Sequence, residues 1–217
     1  MTPARIIAIV EGDGEVEAVP ALIRRYAALD RWRRPIEVLH PLRTPASKLK
    51  RPGELERTVT LAARKLAGPG GILVVLDSED DCPALLGPAL LARIRAPRAD
   101  LPSAVVLAHR EFEAWFLGAA SSLASRRGLR PDLASHPAPE SVRGCKEWMS
   151  EQMEPGRIYS PVDDQPAFAT TFDLEMARRS CPSFDKFHRE LLGLLDRLVG
   201  TDPGSGSAPS ALPAGAR

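Results

Sequence analysis

The sequence predicts an α/β protein with a mostly parallel, four-stranded sheet flanked by helices and followed by a helical and irregular extension. Three short apolar runs, at residues 6–10, 71–77 and 103–109, are rich in β-branched side chains, as is typical of strands buried on both faces. Amphipathic segments of helical length lie between the earlier strand candidates, and this alternation favours a parallel sheet. The chain has 217 residues, enough for one such domain with a small annex.

The predicted elements of the sheet domain follow one another as strand, helix, weaker strand, helix, strand and strand. In that order they span residues 6–10, 15–29, 36–40, 52–66, 71–77 and 103–109. Both helices show apolar residues at helical spacing, which gives each one buried face. In a parallel sheet of this kind the functional groups belong at the carboxyl ends of the strands.

The second half of the chain differs in composition and in its predicted elements. We expect a helix over residues 111–127, then Pro-, Ser- and Arg-rich loops with short helices to about residue 165, and a last amphipathic helix over 183–200 that docks on the sheet. The predicted organisation is an α/β core at residues 1–120, an irregular insert with the C-terminal helix at 121–199, and a disordered Pro/Gly/Ser/Ala-rich tail at 200–217.

Bulk composition excludes several classes of protein. With 44% hydrophobic and 26% charged residues the chain is neither disordered nor membrane-embedded, and a net charge of +1 gives no overall basic signature for coating nucleic acid. Three widely spaced cysteines indicate neither a disulfide framework nor a zinc site. No apolar run is long enough for a signal peptide or membrane span, so we predict a cytoplasmic protein.

Acidic residues follow two of the predicted core strands. Glu11 follows the first strand, Asp77 follows the third, and Glu15 and Glu79 come shortly after them. If these strands are adjacent, the carboxylates gather at one edge of the sheet, where two of them about 4 Å apart repel by roughly 4 kcal/mol at a dielectric constant near 20. Mg²⁺ or Mn²⁺ would neutralise them, whereas the alternative is that they only cap the following helices.

Two glycines separate these acids in the first turn. Gly12 and Gly14 permit close backbone approach, so the turn can leave Glu11 exposed at the strand end and start a helix near a phosphate. The turn lacks the GK[ST] ending of a P-loop, and GDGEVE lacks the third glycine of a dinucleotide-binding fingerprint. An ATPase or NAD-dependent enzyme is therefore disfavoured.

The two acidic motifs, IVEGDGE at residues 9–15 and VVLDSED at 74–80, resemble the TOPRIM fold of topoisomerases, bacterial primases and overcoming-lysogenization-defect nucleases. More narrowly, the segments LERTVTLAARKLAGPGGILVVLDSEDDCP and AHREFEAWFLGA resemble a family of uncharacterised bacterial TOPRIM-related proteins. That family often occurs beside ATPase genes in phage-defence settings. The resemblance covers about residues 5–195.

This resemblance implies particular roles. It places the TOPRIM glutamate, a ligand or general acid/base, on Glu11 and the Mg²⁺-binding acidic doublet on Asp77 and Glu79, where glutamate at the second position is a departure from aspartate. It implies phosphodiester cleavage assisted by an ATPase partner. Tyr26 and Tyr159 are not placed like a topoisomerase nucleophile, so water is the expected nucleophile.

Other acids are further candidates for the site. The resemblance suggests that Glu111 and Glu113 complete the acidic pocket, although both could instead face water from a helix whose aromatic residues form core. Asp81 is a candidate metal ligand that could equally be a solvated turn residue. His109 is more often structural in such a position, and the role of Asp164 is left open.

Basic residues in the irregular regions are candidates for binding nucleic acid. Lys48, Lys146 and Arg43 would position a phosphate backbone beside an acidic metal site, although loop cations are usually only solvated. The hypothesis from the sequence is a Mg²⁺-dependent nuclease of bacterial antiviral defence. The alternatives are a non-catalytic scaffold that binds an ATPase or nucleic acid, and a small-molecule phosphoesterase; self-association is left open.

Overall fold

A computed structural model describes residues 3–29, 32 and 34–199 of the chain. Its sheet contains five strands: β1 (Ala4–Val10), β2 (Ile36–Val38), β3 (Leu42–Arg43), β4 (Gly70–Asp77) and β5 (Ser103–Ala108). The strand order is β2-β1-β4-β5, β3 also pairs with β1, and each of these pairs is parallel. The predicted α/β class and parallel sheet are confirmed, and β1 and β4 are neighbours.

The edge of the sheet beside β1 differs from the prediction. One weak strand was expected at residues 36–40, but β2 pairs with Ala4 to Ile6 and β3 pairs with Ile9 and Val10. Pro41 lies between the two short strands and has no backbone N–H to donate to the ladder. The sheet therefore has five strands, because the edge strand is divided.

Nine α-helices and two 3₁₀-helices surround this sheet in the described part of the chain. The α-helices are α1 (Glu15–Ala27), α2 (Ala46–Leu49), α3 (Glu54–Leu66), α4 (Pro83–Arg95), α5 (Ala114–Gly118), α6 (Cys145–Glu151), α7 (Pro161–Thr171), α8 (Leu174–Ser180) and α9 (Pro182–Val199). The predicted helices at 15–29, 52–66 and 183–200 correspond to α1, α3 and α9 within two residues at each end. Helix α4 was not predicted, since its Gly87 and Pro88 interrupt the helical pattern.

The predicted helix over residues 111–127 is wrong in extent. Helix α5 has only five residues and is followed by a 3₁₀-helix at Ala120–Leu123. Gly118 ends α5 in close contact with α8, where an added Cβ would clash with Ser180. Tertiary packing of this segment therefore overrides its helical propensity. The region before residue 165, where loops with short helices were expected, contains the short helix α6 and the first turn of α7.

Two hydrophobic layers hold the sheet. Alternate β1 residues face opposite sides: Ile6 and Val10 belong to the layer with α1 and α5 to α9, whereas Ile7 and Ile9 belong to the layer with α3 and α4. The first layer includes aromatic side chains from both halves of the chain, so residues after 120 complete the core that covers β4 and β5.

Two further points concern the ends of the chain and the membrane. The predicted disordered tail at 200–217 lies outside the described residues. None of the helices in the described ranges combines the length and apolarity needed to cross a lipid bilayer.

Candidate metal centre

Three carboxylates converge at the carboxyl edge of the sheet. Glu11 follows β1, Asp77 ends β4 and Glu15 is the first residue of α1. One oxygen from each lies within 4.8 Å of the other two. The convergence follows from the parallel pairing of β1 with β4, which brings both strand ends to the same place. We call these three residues the acid cluster.

Hydrogen bonds fix the acid cluster from within. Glu11 Oε1 accepts a hydrogen bond from the Asp77 backbone N–H at 3.0 Å, and Glu15 Oε2 accepts one from the Glu11 N–H at 3.2 Å. Asp77 Oδ1 is inaccessible to solvent and finds no hydrogen-bond partner among the described residues. A buried carboxylate oxygen without a donor is unfavourable unless a proton or a cation is supplied.

The electrostatics of the acid cluster follow from burial and mutual repulsion. Burial first, and then the charge of Glu11, raises the pKa of Glu15 to about 7. The pKa of Asp77 is raised well above its usual range by burial and by both glutamates, and burial also raises the pKa of Glu11. Without a cation these carboxyls therefore retain protons at pH values where exposed carboxyls are ionised.

Glu79 lies at the rim of this cavity rather than among the three converging oxygens. Residues two apart in an extended strand point to the same side, but β4 ends at Asp77, and Glu79 has a positive φ of 51°. Its side chain is 69% exposed and lies 3.8 Å from Lys50 Nζ. Asp81 lies further along the turn, half exposed, with its carboxylate 2.7 Å from the same ammonium.

Glu111 and Glu113 hold a lysine at the wall of the cavity. Lys146 Nζ lies 2.9 Å from a carboxylate oxygen of each glutamate. Although burial alone would raise it, the pKa of Glu111 is lowered by Lys146 and by the backbone N–H groups of Cys145 and Gly144. The predicted nucleic-acid-binding Lys146 therefore stands beside the acid cluster in a fixed position, and Glu111 is paired with it.

The Glu113 carboxylate is fully buried and has three partners. Besides Lys146, it accepts hydrogen bonds from the Tyr159 hydroxyl and Gln165 Nε2, both at 3.2 Å. Sequence reasoning left its role open and missed Gln165, since a glutamine inside a helix carries no recognisable signal. Gln165 Oε1, also buried, has no donor within the described structure, and this residue lines the cavity of the acid cluster.

Gly14 explains how α7 reaches the cavity. A Cβ at Gly14 would clash with the Pro161 carbonyl and with Gln165 Oε1, so only glycine permits α1 and α7 to approach this closely. The sequence predicted close approach at this turn, but to a phosphate. The structure shows close approach to another helix, which places Gln165 beside the first turn of α1.

The remaining predicted residues occupy different positions. Arg43 lines the cavity and forms an ion pair with Asp13 at 2.8 Å. Lys48 lies on α2, more than half exposed and 3.6 Å from Glu54, and it is not among the residues that line the cavity. Lys50, two residues later, faces the acidic turn, with its ammonium 3.8 Å from Glu79 and 2.7 Å from Asp81.

Asp164 has a structural environment. Its buried carboxylate accepts hydrogen bonds from Arg127 at 2.8 Å, from Arg157 at 2.9 Å and from the Ser160 N–H at 2.9 Å. These contacts fix the loop that precedes α7. The segment that follows Asp164 belongs to α7, which packs on α1.

The cavity of about 360 Å³ that contains the acid cluster suits a hard divalent cation. Its oxygen donors are carboxylates, the ligands that Mg²⁺ and Mn²⁺ prefer, and Asp77 Oδ1 has no hydrogen-bond donor among the described residues. The residues present therefore fit such an ion, and Glu11, Glu15 and Asp77 are the side chains that could hold it.

The fold and the site together define an α/β protein with a carboxylate cluster at the carboxyl edge of a parallel sheet. Within that class, the chain belongs to the family described as a domain of unknown function, DUF4276, whose sequence profile matches residues 10–192. No curated protein and no solved structure matches the chain.

Proposed function

We propose that the protein is a Mg²⁺- or Mn²⁺-dependent phosphodiester hydrolase that acts on nucleic acid. The observation that carries this proposal is the convergence of Glu11, Glu15 and Asp77 within 4.8 Å, with one inaccessible oxygen of Asp77 lacking a donor. Three carboxylates at this separation are a poor arrangement for stability alone, because, besides burial, the charge of Glu11 raises the pKa of Glu15 and both glutamates raise the pKa of Asp77. Such arrangements are found where binding or catalysis requires them.

The residues that line the cavity would have different roles in such a site. Glu11, Glu15 and Asp77 would hold the cation, which when bound supplies a positive charge that polarises a phosphoryl oxygen and favours hydrolysis by water. Lys146, fixed by Glu111 and Glu113, places a second positive charge at the cavity wall and would orient an anionic group of the substrate. Arg43 also lines this cavity.

The wider proposal concerns relationship and context. A TOPRIM relationship is supported by the placement of the two acidic motifs on neighbouring strands β1 and β4. We further propose a cytoplasmic role in antiviral defence with an ATPase partner, which rests on the resemblance of the sequence motifs. The exposed position of Glu79 is the observation that favours the second candidate, a non-catalytic scaffold.

The experiment that tests the proposal compares wild type with Asp77→Asn, Glu15→Gln and the matched control Glu17→Gln. Glu17 is an exposed acid in the same first turn of α1, so the control changes charge without touching the cavity. Binding of Mn²⁺ is measured by calorimetry. Cleavage is measured on labelled single- and double-stranded DNA and RNA with Mg²⁺ or Mn²⁺.

We expect Mn²⁺ binding and cleavage in wild type and Glu17→Gln, with at least a 100-fold loss of cleavage in Asp77→Asn. Absence of Mn²⁺ binding in wild type would contradict the proposed metal site, and the non-catalytic scaffold would then be the remaining candidate function. Hydrolysis of nucleotide phosphodiesters without cleavage of polymers would replace the nuclease by the phosphoesterase. Cleavage retained by Asp77→Asn would refute the assigned centre.

A further inference from the structure

A second cavity of about 350 Å³ opens beside the acid cluster. It shares Asp77, Glu79 and Lys146 with the first cavity, so the two are neighbours at the same edge of the sheet. Its lining also includes two arginines, Arg110 and Arg143. Unlike the acid-cluster cavity, it therefore presents three cationic side chains next to the place where a metal and a reacting phosphate would meet.

Backbone strain aims two side chains into this second cavity. Glu79 and Arg110 both have left-handed backbone angles, φ 51° and 63°, which cost free energy in residues other than glycine. Hydrogen bonds hold the two turns together: the Glu79 N–H donates to the Arg110 carbonyl at 3.1 Å, and the Arg110 N–H donates to Ser78 Oγ at 2.9 Å. Such strain is retained mostly where the resulting side-chain positions are used.

The two arginines of this cavity have few hydrogen-bond acceptors among the described residues. Asp80 accepts a hydrogen bond from Arg143 at 2.8 Å, but its distance to Arg110 Nη1 is 4.0 Å, beyond hydrogen-bond range. Arg110 Nε is buried and has no acceptor in the ranges that the structure describes. The Asp80 and Arg143 side chains are 77% and 71% exposed, so their ion pair contributes little and is easily exchanged for another anion.

We propose that this cavity binds a phosphate of the nucleic-acid backbone next to the reacting one, with Arg110 and Arg143 as its ligands and Asp80 as the anion that it displaces. Guanidinium groups recognise phosphate with paired hydrogen bonds, and Asp80 offers them only a single carboxylate in the absence of substrate. The inference rests on the proposed function, because it takes the acid cluster as the reaction centre. It adds two binding residues, Arg110 and Arg143, and a competing carboxylate, Asp80.

The test measures binding without hydrolysis. Wild type and variants are titrated in EDTA against a short fluorescein-labelled single-stranded oligodeoxynucleotide by fluorescence anisotropy, with inorganic phosphate as competitor. The variants are Arg110→Asn, which removes the charge while tolerating the left-handed backbone, Arg110→Lys, which keeps it, and Asp80→Asn. Arg98→Asn and Asp100→Asn are matched controls from an exposed ion pair before β5, at the opposite edge of the sheet.

We expect Arg110→Asn to weaken oligonucleotide binding at least tenfold and to reduce the salt dependence of log Kd by about one unit, while Arg110→Lys recovers part of the affinity. Asp80→Asn should tighten binding at least threefold beyond Asp100→Asn. Thermal melting in the same buffer verifies that each variant is folded. Equal affinities of Arg110→Asn and Arg98→Asn would overturn the phosphate site, and equal affinities of Asp80→Asn and Asp100→Asn would overturn the competition.

The result is separable from that of the proposed hydrolysis. Oligonucleotide binding that depends on Arg110, in a protein that cleaves no substrate with any metal, would support this subsite and refute the proposed reaction. Cleavage with unchanged KM and kcat in Arg110→Asn would support the reaction and refute the subsite. Competition by free phosphate alone, with no binding of the oligonucleotide, would overturn the assignment to a nucleic-acid backbone.

Discussion

Asp77 is the residue at which the proposed function most clearly conflicts with the stability of the protein. It ends β4 among two other carboxylates, and its Oδ1 has no donor among the described residues. Two charges at such separations interact by about 4 kcal/mol at an effective dielectric of 20, and partial protonation relieves only some of this. The metal-free protein should therefore be less stable than it would be without this charge.

We predict that Asp77→Asn raises the stability of the metal-free protein at pH 8 by about 1–2 kcal/mol, because the amide removes a like charge and can donate to a neighbouring carboxylate. The measurement is urea denaturation in EDTA, repeated with Mg²⁺. Wild type should gain stability on addition of Mg²⁺, and the variant should gain much less. A variant that is less stable in EDTA and equally stabilised by Mg²⁺ would contradict this account.

At the residue scale the sequence predicts the acids that lie on regular strands. Glu11 and Asp77 follow apolar runs whose carboxyl ends must meet if the strands are parallel neighbours. Glu79 is not predictable in the same way, because its position depends on a left-handed turn fixed by a contact with Arg110. Gln165 comes from a helix nearly ninety residues later in the chain than Asp77, and nothing local marks it.

Between elements, the contact of α3 with α4 shows how a single ion pair ties two helices. Arg93 on α4 binds both carboxylate oxygens of Glu56 on α3, at 2.7 and 2.9 Å, and its guanidinium also donates to the carbonyls of Lys50 and Arg51. The hydrogen bond from Arg93 lowers the pKa of Glu56 to about 2. The helices are therefore coupled through a group that titrates only in strong acid.

We predict that Glu56→Gln lowers the free energy of unfolding by about 1 kcal/mol at pH 6. This is less than the lowered pKa of Glu56 alone would give, because solvent screens a partly exposed ion pair. Because the pKa of Glu56 is lower in the folded protein than its ordinary value of 4.5, the ionised carboxylate stabilises the fold at pH values above 4.5. This contribution is lost as the pH falls from 4.5 towards 2. The difference between wild type and variant in urea denaturation should shrink to near zero at pH 2. A difference that is constant from pH 6 to pH 2 would argue against the pair.

Some helices are determined by their own sequence, and others depend on packing against the rest of the protein. Helices α1, α3 and α9 could be predicted because their apolar faces have helical spacing over several turns. The false helix over 111–127 and the missed α4 show the limit of this pattern. In the first case the close contact of Gly118 with Ser180 ends the helix, and in the second Gly87 and Pro88 weaken a pattern that the sheet nevertheless stabilises.

Across the whole molecule, the buried Glu113 joins the two halves of the chain. It follows the last strand of the sheet, whereas its partners Lys146, Tyr159 and Gln165 all come from the C-terminal half. A fully buried carboxylate is tolerated only while it is paired and hydrogen-bonded. The docking of the two halves therefore depends on this network as well as on the shared aromatic core.

We predict that Lys146→Met destabilises the protein by about 3 kcal/mol, because it leaves the Glu113 carboxylate buried without its counter-charge. The double variant Glu113→Gln/Lys146→Met should recover more than half of that loss. Denaturant unfolding of the two single variants and the double variant measures the coupling. If the losses of the single variants simply add in the double variant, the two side chains are not coupled.

The position of Glu113 also has a consequence for the newly made chain. When the first 120 residues have left the ribosome, the aromatic residues Phe112, Trp115 and Phe116 are exposed, but the partners of Glu113 have not yet emerged. Closing the aromatic cluster at that stage would bury a lone negative charge, so this face of the nascent sheet should remain open until α7 emerges. During that interval the protein offers a chaperone an exposed apolar surface that the finished fold conceals.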